Sequence, residues 1–330
     1  MSETIRQDAI PIVIVYLNSN LPKYAQKNLN YLSRVFPSHE IFLASNRFEN
    51  QRYTSKLKNV KFHYLNDFSR ELRKLQKISS LPIEFRNGFW ITTTARFKAI
   101  EMLMKNELLG RVLHIEADVL LLKNFPFDLS VFQQKSLSYP YVSENSAAAS
   151  IFYIGDLEEL ESFNEFTLEL VKDNPSISDM GILARYGNLE GSRVIKLFSG
   201  FGKSNSYCGK YLFDAATLGM YLTGQDPRNF KGLIKRYLDT DDHSVKPSFA
   251  KINYSTTDEV FIEILNESYI ISNLHIHSKQ AKFFSVRGSE KSIRKAINGI
   301  GRKQKVSFSF KIWLLMLVKY LERRISQFRI

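Results

Sequence analysis

Through residues 1–125, short apolar runs alternate with helical periods, and this alternation leaves few architectures open to the chain. Pro11–Leu17 (PIVIVYL) reads as a buried strand that runs into Asn18-Ser19-Asn20. Pro22–Phe36 follows with helical periodicity, Tyr24, Leu29, Leu32 and Phe36 falling near one face. Glu40–Ser45 and Val60–Leu65 are further strand candidates. Thr94–Leu108 is an amphipathic helix through Phe97, Ile100, Met104 and Leu108, and it passes Gly110 into a strand over Arg111–Ile115. Strand–helix–strand repetition of this kind builds a mainly parallel sheet covered by helices. Ligands of such sheets collect at the carboxyl ends of the strands, where Asn18 and Glu116 stand. The second half is less regular. Ser150–Ile154 and Tyr269–His277 read as strands, Leu157–Lys172 and Phe213–Leu222 as helices, and Phe198–Lys210 as a Gly- and Ser-rich loop.

With 330 residues, 44% of them hydrophobic, the chain can bury a substantial core, which excludes a mainly disordered or collagen-like polymer. The single Cys208 excludes an internal disulfide framework and a cysteine-rich zinc site, and it fits a packed thiol in a reducing compartment. The first ten residues carry charges where a secretory signal would be apolar. The apolar run Ile312–Val318 falls far short of the ~20 residues of a membrane span. A cytoplasmic chain is therefore expected.

The net charge of +13 is unevenly placed. Lys279–Ile330 holds 14 basic and two acidic residues, whereas residues 1–278 are nearly balanced. This divides the chain into a nearly neutral body over 1–278, with halves of about 1–125 and 126–278, and a basic tail over 279–330. Wound as a helix, Phe308–Ile330 gathers Lys311, Lys319, Glu322, Ser326 and Arg329 on one side and Trp313, Leu314, Leu317, Leu321, Ile325 and Phe328 on the other, with Arg324 an exception on the apolar side and Leu315 on the polar side. A basic amphipathic helix suits an anionic membrane surface, so residues 280–330 are expected to hold the chain at the inner face of the cell membrane. Packing on the body, or against a dimer partner, is the alternative. No recognition helix, zinc spacing or RNA-stacking motif accompanies the charge, so nucleic acid is not an expected partner.

Chemistry concentrates after the Arg111–Ile115 strand, in Glu116-Ala117-Asp118. In extended backbone, residues i and i+2 project to one side, so the two carboxylates can converge. Hard oxygen donors at an open strand end suit Mg²⁺ or Mn²⁺ that is also held by substrate phosphates; a solvated acidic turn is the alternative. The stretch from Arg96-Phe97 to Leu113-His114-Ile115-Glu116-Ala117-Asp118-Val119-Leu120 resembles the metal-binding region of GT-A-fold glycosyltransferases, with Glu in place of the first Asp of their Asp-x-Asp motif. Ser146–Ile154 resembles the small-residue strand that follows that motif. Phe213–Gly224 with Asp226-Pro227-Arg228-Asn229 resembles an acceptor-side helix and loop of bacterial surface-polysaccharide transferases. The likeness spans about Pro11 to Lys279. It implies a GT-A-like, Rossmann-type α/β fold with a mixed, mostly parallel sheet, and a hexosyltransferase that uses Mn²⁺ or Mg²⁺. It further implies a nucleotide-sugar donor, a UDP-sugar first among them, and a glycan or lipid-linked acceptor of capsule or lipopolysaccharide type.

Asn273-Leu274-His275-Ile276-His277-Ser278-Lys279 is the second constellation. On a strand, His275, His277 and Lys279 share a face. Imidazole ligates Mn²⁺ or Zn²⁺, and an ammonium beside it can neutralise phosphate. The resemblance implies a late histidine that completes the metal shell, with His277 the first choice and His275 the competing one, and a lysine on the diphosphate. His114 sits deeper in its strand and reads as a hydrogen-bonded core residue.

Asp214 and Asp179 are the catalytic candidates, each addressing the acceptor hydroxyl or the cationic sugar, and each equally placed to cap a helix. Asp226 opens an Asp-Pro turn and reads as structural. Arg96 is a candidate contact to the nucleotide or diphosphate, and Asn18 to the nucleoside. Gly200–Ser204 (GFGKS) lacks the first glycine of a phosphate loop, Leu197 standing there, and reads instead as a lid over the donor. Family analogy leans towards retention of configuration. Two other classes use the same features: a metal-dependent nucleotidyltransferase or phosphohydrolase, and a non-enzymatic membrane or nucleic-acid binding protein.

Overall fold

In a computed structural model, residues 9–86, 88–200, 205–224, 226, 251–254, 259–264, 266–286 and 288–305 are described. Along the chain these form β1 (Ile12–Val15), α1 (Lys23–Val35), β2 (Ile41–Ser45), β3 (Val60–Tyr64), α2 (Phe68–Ile78), α3 (Phe89–Asn106), β4 (Val112–Ile115), β5 (Val119–Leu121), β6 (Leu137–Ser143), β7 (Ser146–Ala147) and β8 (Ile151–Ile154). There follow α4 (Leu157–Asp173), α5 (Asp179–Leu189), β9 (Val194–Leu197), β10 (Tyr211–Phe213), α6 (Thr217–Thr223), β11 (Lys251–Tyr254), β12 (Val260–Ile264), β13 (Glu267–His275) and α7 (Ser289–Lys305).

The main sheet runs β3-β2-β1-β4-β8-β6-β7, with β9 added beside β6. Its β3-β2-β1-β4 half is parallel, and β4–β8 and β8–β6 are antiparallel. Helices cover both faces, which is why the strands read as continuous apolar runs. Pleating sorts their side chains cleanly: Ile12, Ile14, Leu43, Leu113 and Ile115 pack into one core with α1, and Val13, Phe42, Ala44 and Val112 into the other with α3 and α4. The expected mixed, mostly parallel α/β sheet flanked by helices is the observed one.

A second sheet, β10-β13-β12-β11, takes β5 as the antiparallel neighbour of β13, His275 standing opposite Val119. The Glu116–Asp118 turn is therefore the place where the chain leaves one sheet and enters the other.

Several boundaries differ from those read in the sequence. Helix α3 starts five residues early, because Gly88 takes a left-handed φ of 77° that turns the chain into it. Phe213–Leu222 is not one helix: Phe213 ends a strand, and α6 begins only at Thr217. Strand β13 stops at His275, and the His277 N–H bonds back to the His275 carbonyl at 2.9 Å, so His277 lies in a turn. Glu116 and Asp118 likewise lie in a turn, closed by Val119 N–H to the Glu116 carbonyl at 2.9 Å, rather than on an extended strand. Cys208 is buried and packed, as expected, and burial pushes its thiol pKa up.

Beyond Lys279, Phe283, Phe284 and Ile293 join the α1-side core, so the first part of the basic segment packs on the body. The expected helix Phe308–Ile330, the loop Pro227–Asn229 and the lid residues 201–204 lie outside the described residues.

Candidate metal centre and cleft

Strand order reverses between β1 and β4, since α1 carries the chain from β1 to β2 on one side while β4 lies on the other. The crevice beyond the carboxyl ends of those two strands is where ligands of open α/β sheets bind. Here it is a cleft of about 560 Å³, bordered by Val15–Ser19 after β1 and by Glu116, Ala117 and Asp118 after β4.

The acidic turn is held from below by α1. Asn28, wholly buried, donates from its amide to the carbonyls of Ala117 (3.1 Å) and Val119 (2.8 Å). The Tyr31 hydroxyl donates to the Leu121 carbonyl at 2.9 Å. On the other side, the β5–β13 pairing delivers His275, whose Nε2 lies 3.2 Å from Glu116 Oε2 and 3.4 Å from Asp118 Oδ1. One ligand atom from each of Glu116, Asp118 and His275 falls within 4.8 Å of the others.

The donor chemistry fits a divalent cation. His275 Nδ1 is 2.9 Å from the Ala215 carbonyl and so carries the proton as donor. The neutral ring then turns its Nε2 lone pair towards the two carboxylates, the arrangement that orients a metal-ligating histidine. One imidazole and two carboxylates suit Mn²⁺ or Mg²⁺ with positions left for phosphate oxygens. Without a cation, burial works against charge on His275, but the Asp118 and Glu116 carboxylates outweigh it and raise its pKa to about 9. Burial likewise opposes ionisation of Asp118. Lys279 and His275 override it and hold that carboxyl well below the usual range.

His277 is absent from this convergent set. Its ring stacks on His275 at 4.1 Å, it lines the cleft, and its buried Nε2 has no hydrogen-bond partner. Burial, followed by the charge of His275, lowers its pKa to about 3. His114 is a core residue, donating from Nδ1 to the Val13 carbonyl at 3.0 Å, in keeping with its sequence reading.

Lys279 lines the cleft and pairs with Asp118. Arg96, from α3, forks between Glu116 and Asp179. Asp179 opens α5 at 3% exposure and lies behind that guanidinium, away from the cleft lining. Burial raises its pKa against the pull of Arg96. Asp214 is not on the cleft either. Its carboxylate accepts the backbone N–H groups of Leu218 (3.0 Å), Gly219 (2.7 Å) and His275 (2.9 Å), tying α6 to the end of β13. Asn18 borders the cleft with a left-handed φ of 62° and exchanges hydrogen bonds with Asn46, both 2.8 Å.

Sequence reasoning missed four contributors. Asp226, read as a turn residue, lines the cleft within 3.4 Å of Arg86 and 3.9 Å of Lys279. Arg86 gave no periodic signal. Asn28 is a polar residue on the apolar face of α1, and Gly219 sits inside a short helix; both irregularities were readable as marks of a special contact.

No protein-family model and no curated protein matches the sequence. Among solved structures, the chain is similar to the bifunctional glycosyltransferase WbbM, at 15% identity over 62% of this chain and 42% of that one, with a TM-score of 0.38. It is similar to the glycosyltransferase GlyE of Streptococcus pneumoniae TIGR4 at 14% identity over 58% and 46%, TM-score 0.36. It is also similar to the PaToxG glycosyltransferase at 9% identity over 55% and 70%, TM-score 0.35. The chain spans less than half the length of the WbbM and GlyE chains it matches.

Proposed function

We propose that this chain is a divalent-metal-dependent glycosyltransferase of the hexosyl class, moving a sugar from a nucleotide-diphosphate sugar to a glycan or lipid-linked acceptor. The observation that carries the reading is the convergence of Glu116, Asp118 and His275 Nε2 at the carboxyl ends of the two strands where the sheet order reverses. These three side chains would hold Mn²⁺ or Mg²⁺. A cation bound there supplies charge neutralisation for a leaving diphosphate.

The protein's own groups support the rest. The Lys279 ammonium, on the cleft beside Asp118, is available to a phosphate oxygen. Arg96 fixes the Glu116 carboxylate by its fork, and Asp179 holds the guanidinium in turn. Asp214 sets the backbone of His275. Asn18 and Ser19, at the end of β1, border the nucleoside end of the crevice. A UDP-sugar is the first donor to test, and retention the stereochemical outcome favoured by analogy.

The exposed Lys291, Arg294 and Lys295 of α7, with Ile293 turned into the core, put basic charge on the outer face of the tail's first helix. This supports peripheral binding to an anionic membrane surface by residues 280–330. No helix of the described residues is long and apolar enough to cross a membrane.

The test is a thermal-shift screen of nucleotide sugars with and without Mn²⁺, followed by transfer assays on the donor that binds. Full transfer by Asp118→Ala at saturating Mn²⁺ would reject the assignment. Phosphate release or nucleotide turnover without any sugar acceptor would replace it with a phosphohydrolase or nucleotidyltransferase.

A further inference from the structure

One wall of the cleft is aromatic, and the chemistry above does not use it. Phe85 stacks on Trp90 with ring centroids 5.6 Å apart and planes 15° from parallel. Phe89 meets both rings edge-on, at 5.9 Å and 5.1 Å. The Arg86 guanidinium lies 5.2 Å from the Phe85 ring centre and 5.6 Å from that of Phe89. All four side chains line the cleft, and Phe85 remains 39% exposed there.

The backbone is bent to make this wall. Arg86 adopts a left-handed φ of 50°, two residues before Gly88, the N-cap of α3. A side chain in that region is strained by about 1 kcal/mol or more. The ion pair of Arg86 with Asp226 at 3.4 Å works in the opposite sense.

Position and chemistry together select the occupant. Phe89 lies seven residues before Arg96 on the same helix, so it stands about 10 Å along the axis from the group that fixes Glu116. That rise along the helix is longer than one pyranose ring is wide. A chain of charges links the wall to the segments that flank β13 and β5 of the second sheet: Arg86 reaches Asp226, Asp226 approaches Lys279, and Lys279 pairs with Asp118. A nucleoside beyond β1 would meet Asn18 and Ser19, which line the cleft from the main sheet. Flat aromatic faces carry negative π density that attracts the weakly positive C–H face of a pyranose. Arg86 and the buried Asp226, both on the cleft lining, bring hydrogen-bonding groups of both kinds to the side of the wall.

We propose that the Phe85–Trp90 wall is a platform on which a pyranose ring stacks, and, resting on the glycosyltransferase reading, that this ring belongs to the acceptor. The acceptor is then a glycan whose attacking hydroxyl sits on or next to a sugar ring, and not a bare lipid phosphate or a protein side chain.

The sequence holds two tryptophans, Trp90 and Trp313, so a Trp313→Phe background leaves Trp90 as the sole indole reporter. Its emission is titrated with lactose, maltose and cellobiose, and separately with UDP plus Mn²⁺. At least one disaccharide is expected to shift the emission to shorter wavelength in a saturable way, and Phe85→Ala to weaken that binding roughly tenfold. A shift with UDP and Mn²⁺ but with no disaccharide assigns the wall to the nucleobase and overturns the proposal; no response to any of them overturns it as well. In transfer assays Phe85→Ala should raise the acceptor KM while the donor KM stays near wild type, and a raised donor KM counts against the platform. Saccharide-dependent emission in a protein that transfers from no nucleotide sugar would remove the glycosyltransferase reading and leave the platform standing.

Discussion

Gly219 packs against the backbone of His275 so closely that a Cβ there would lie 1.9 Å from the His275 carbonyl oxygen and 2.8 Å from its nitrogen. The contact is backbone on backbone, so no side-chain rotation relieves it. It puts α6 directly on the end of β13, and Asp214 clasps both through their N–H groups. The imidazole that faces Glu116 and Asp118 is thus aimed from behind by two residues that do not reach the cleft. In a helix whose glycine is free, Gly→Ala stabilises by about 1 kcal/mol. Gly219→Ala is expected to do the reverse and to lower Mn²⁺ affinity by roughly 10- to 100-fold, the usual effect of disturbing the groups that orient a ligand. Calorimetric Mn²⁺ titration, with circular dichroism as the check on folding, reads both; unchanged affinity would mean that α6 does not set the ligand.

The two late histidines separate by their environments. His275 is pinned at Nδ1 and turns Nε2 to two carboxylates, whereas the His277 Nε2 meets no partner. His275→Ala should reduce Mn²⁺ binding by roughly a hundredfold or more, and His277→Ala by much less. Free Mn²⁺ measured by electron paramagnetic resonance distinguishes the two variants, and the opposite ranking would make His277 the ligand.

The β2-β1-β4-β8 part of the sheet was legible because its strands are buried on both faces, whereas β6 (LSYPYVS) and β9 (VIKL) carry polar residues and were not read as strands. Runs such as IVIV at Ile12–Val15 and VLHI at Val112–Ile115 leave no polar alternation to misread, and the helices between them follow from periodicity. The carboxylates of the site were legible for a related reason: Glu116 and Asp118 stand between two apolar runs, where a casual surface turn is rare. The geometry that joins them to His275 was not legible. It depends on β5 pairing with β13 across more than 150 residues of sequence, and strand partnership at that separation leaves no local pattern. For Asp214 the structure shows the helix-capping alternative, at α6, while its further bond to His275 was illegible for the same reason. Its best partners, the N–H groups of His275 and Gly219, belong to two elements that meet only in the folded chain. Asp226 was read as a plain turn residue because nothing near it in sequence announces Lys279 or Arg86.

Arg96 forks between the half-buried Glu116 and the buried Asp179 at 7% exposure, so its charge opposes the burial that works against both carboxylates. Removing one partner of such a buried set leaves uncompensated charge and costs about 3–5 kcal/mol. Arg96→Ala should therefore destabilise the metal-free protein by that order, measured by urea unfolding. Saturating Mn²⁺ should recover part of the loss, because a cation at Glu116 replaces some of the missing positive charge. An equal loss with and without Mn²⁺ would separate Arg96 from the metal centre.

Glu101 makes a different kind of prediction, away from the cleft. It is 2% exposed on the inner side of α3 and accepts hydrogen bonds from Lys98 (2.6 Å), Lys105 (2.7 Å) and Asn164 (2.8 Å). Burial alone pushes its carboxyl pKa up. The bonds from Lys105, Lys98 and Asn164 outweigh burial and hold the pKa below the usual glutamate value. A carboxyl whose pKa is lowered by folding contributes stability above its unfolded pKa of about 4.3, and that contribution fades as pH falls through the folded value. Both lysines are more than a third exposed, at 39% and 45%, so solvent screens the ion pairs and the contribution stays near about 1–2 kcal/mol. Wild type should therefore exceed Glu101→Gln by that amount in urea unfolding near neutral pH, and the gap should close as the pH is taken down through the acid range. A gap that stays constant from neutral pH into that range would show that packing around the side chain, and not its charge, holds α3 to α4.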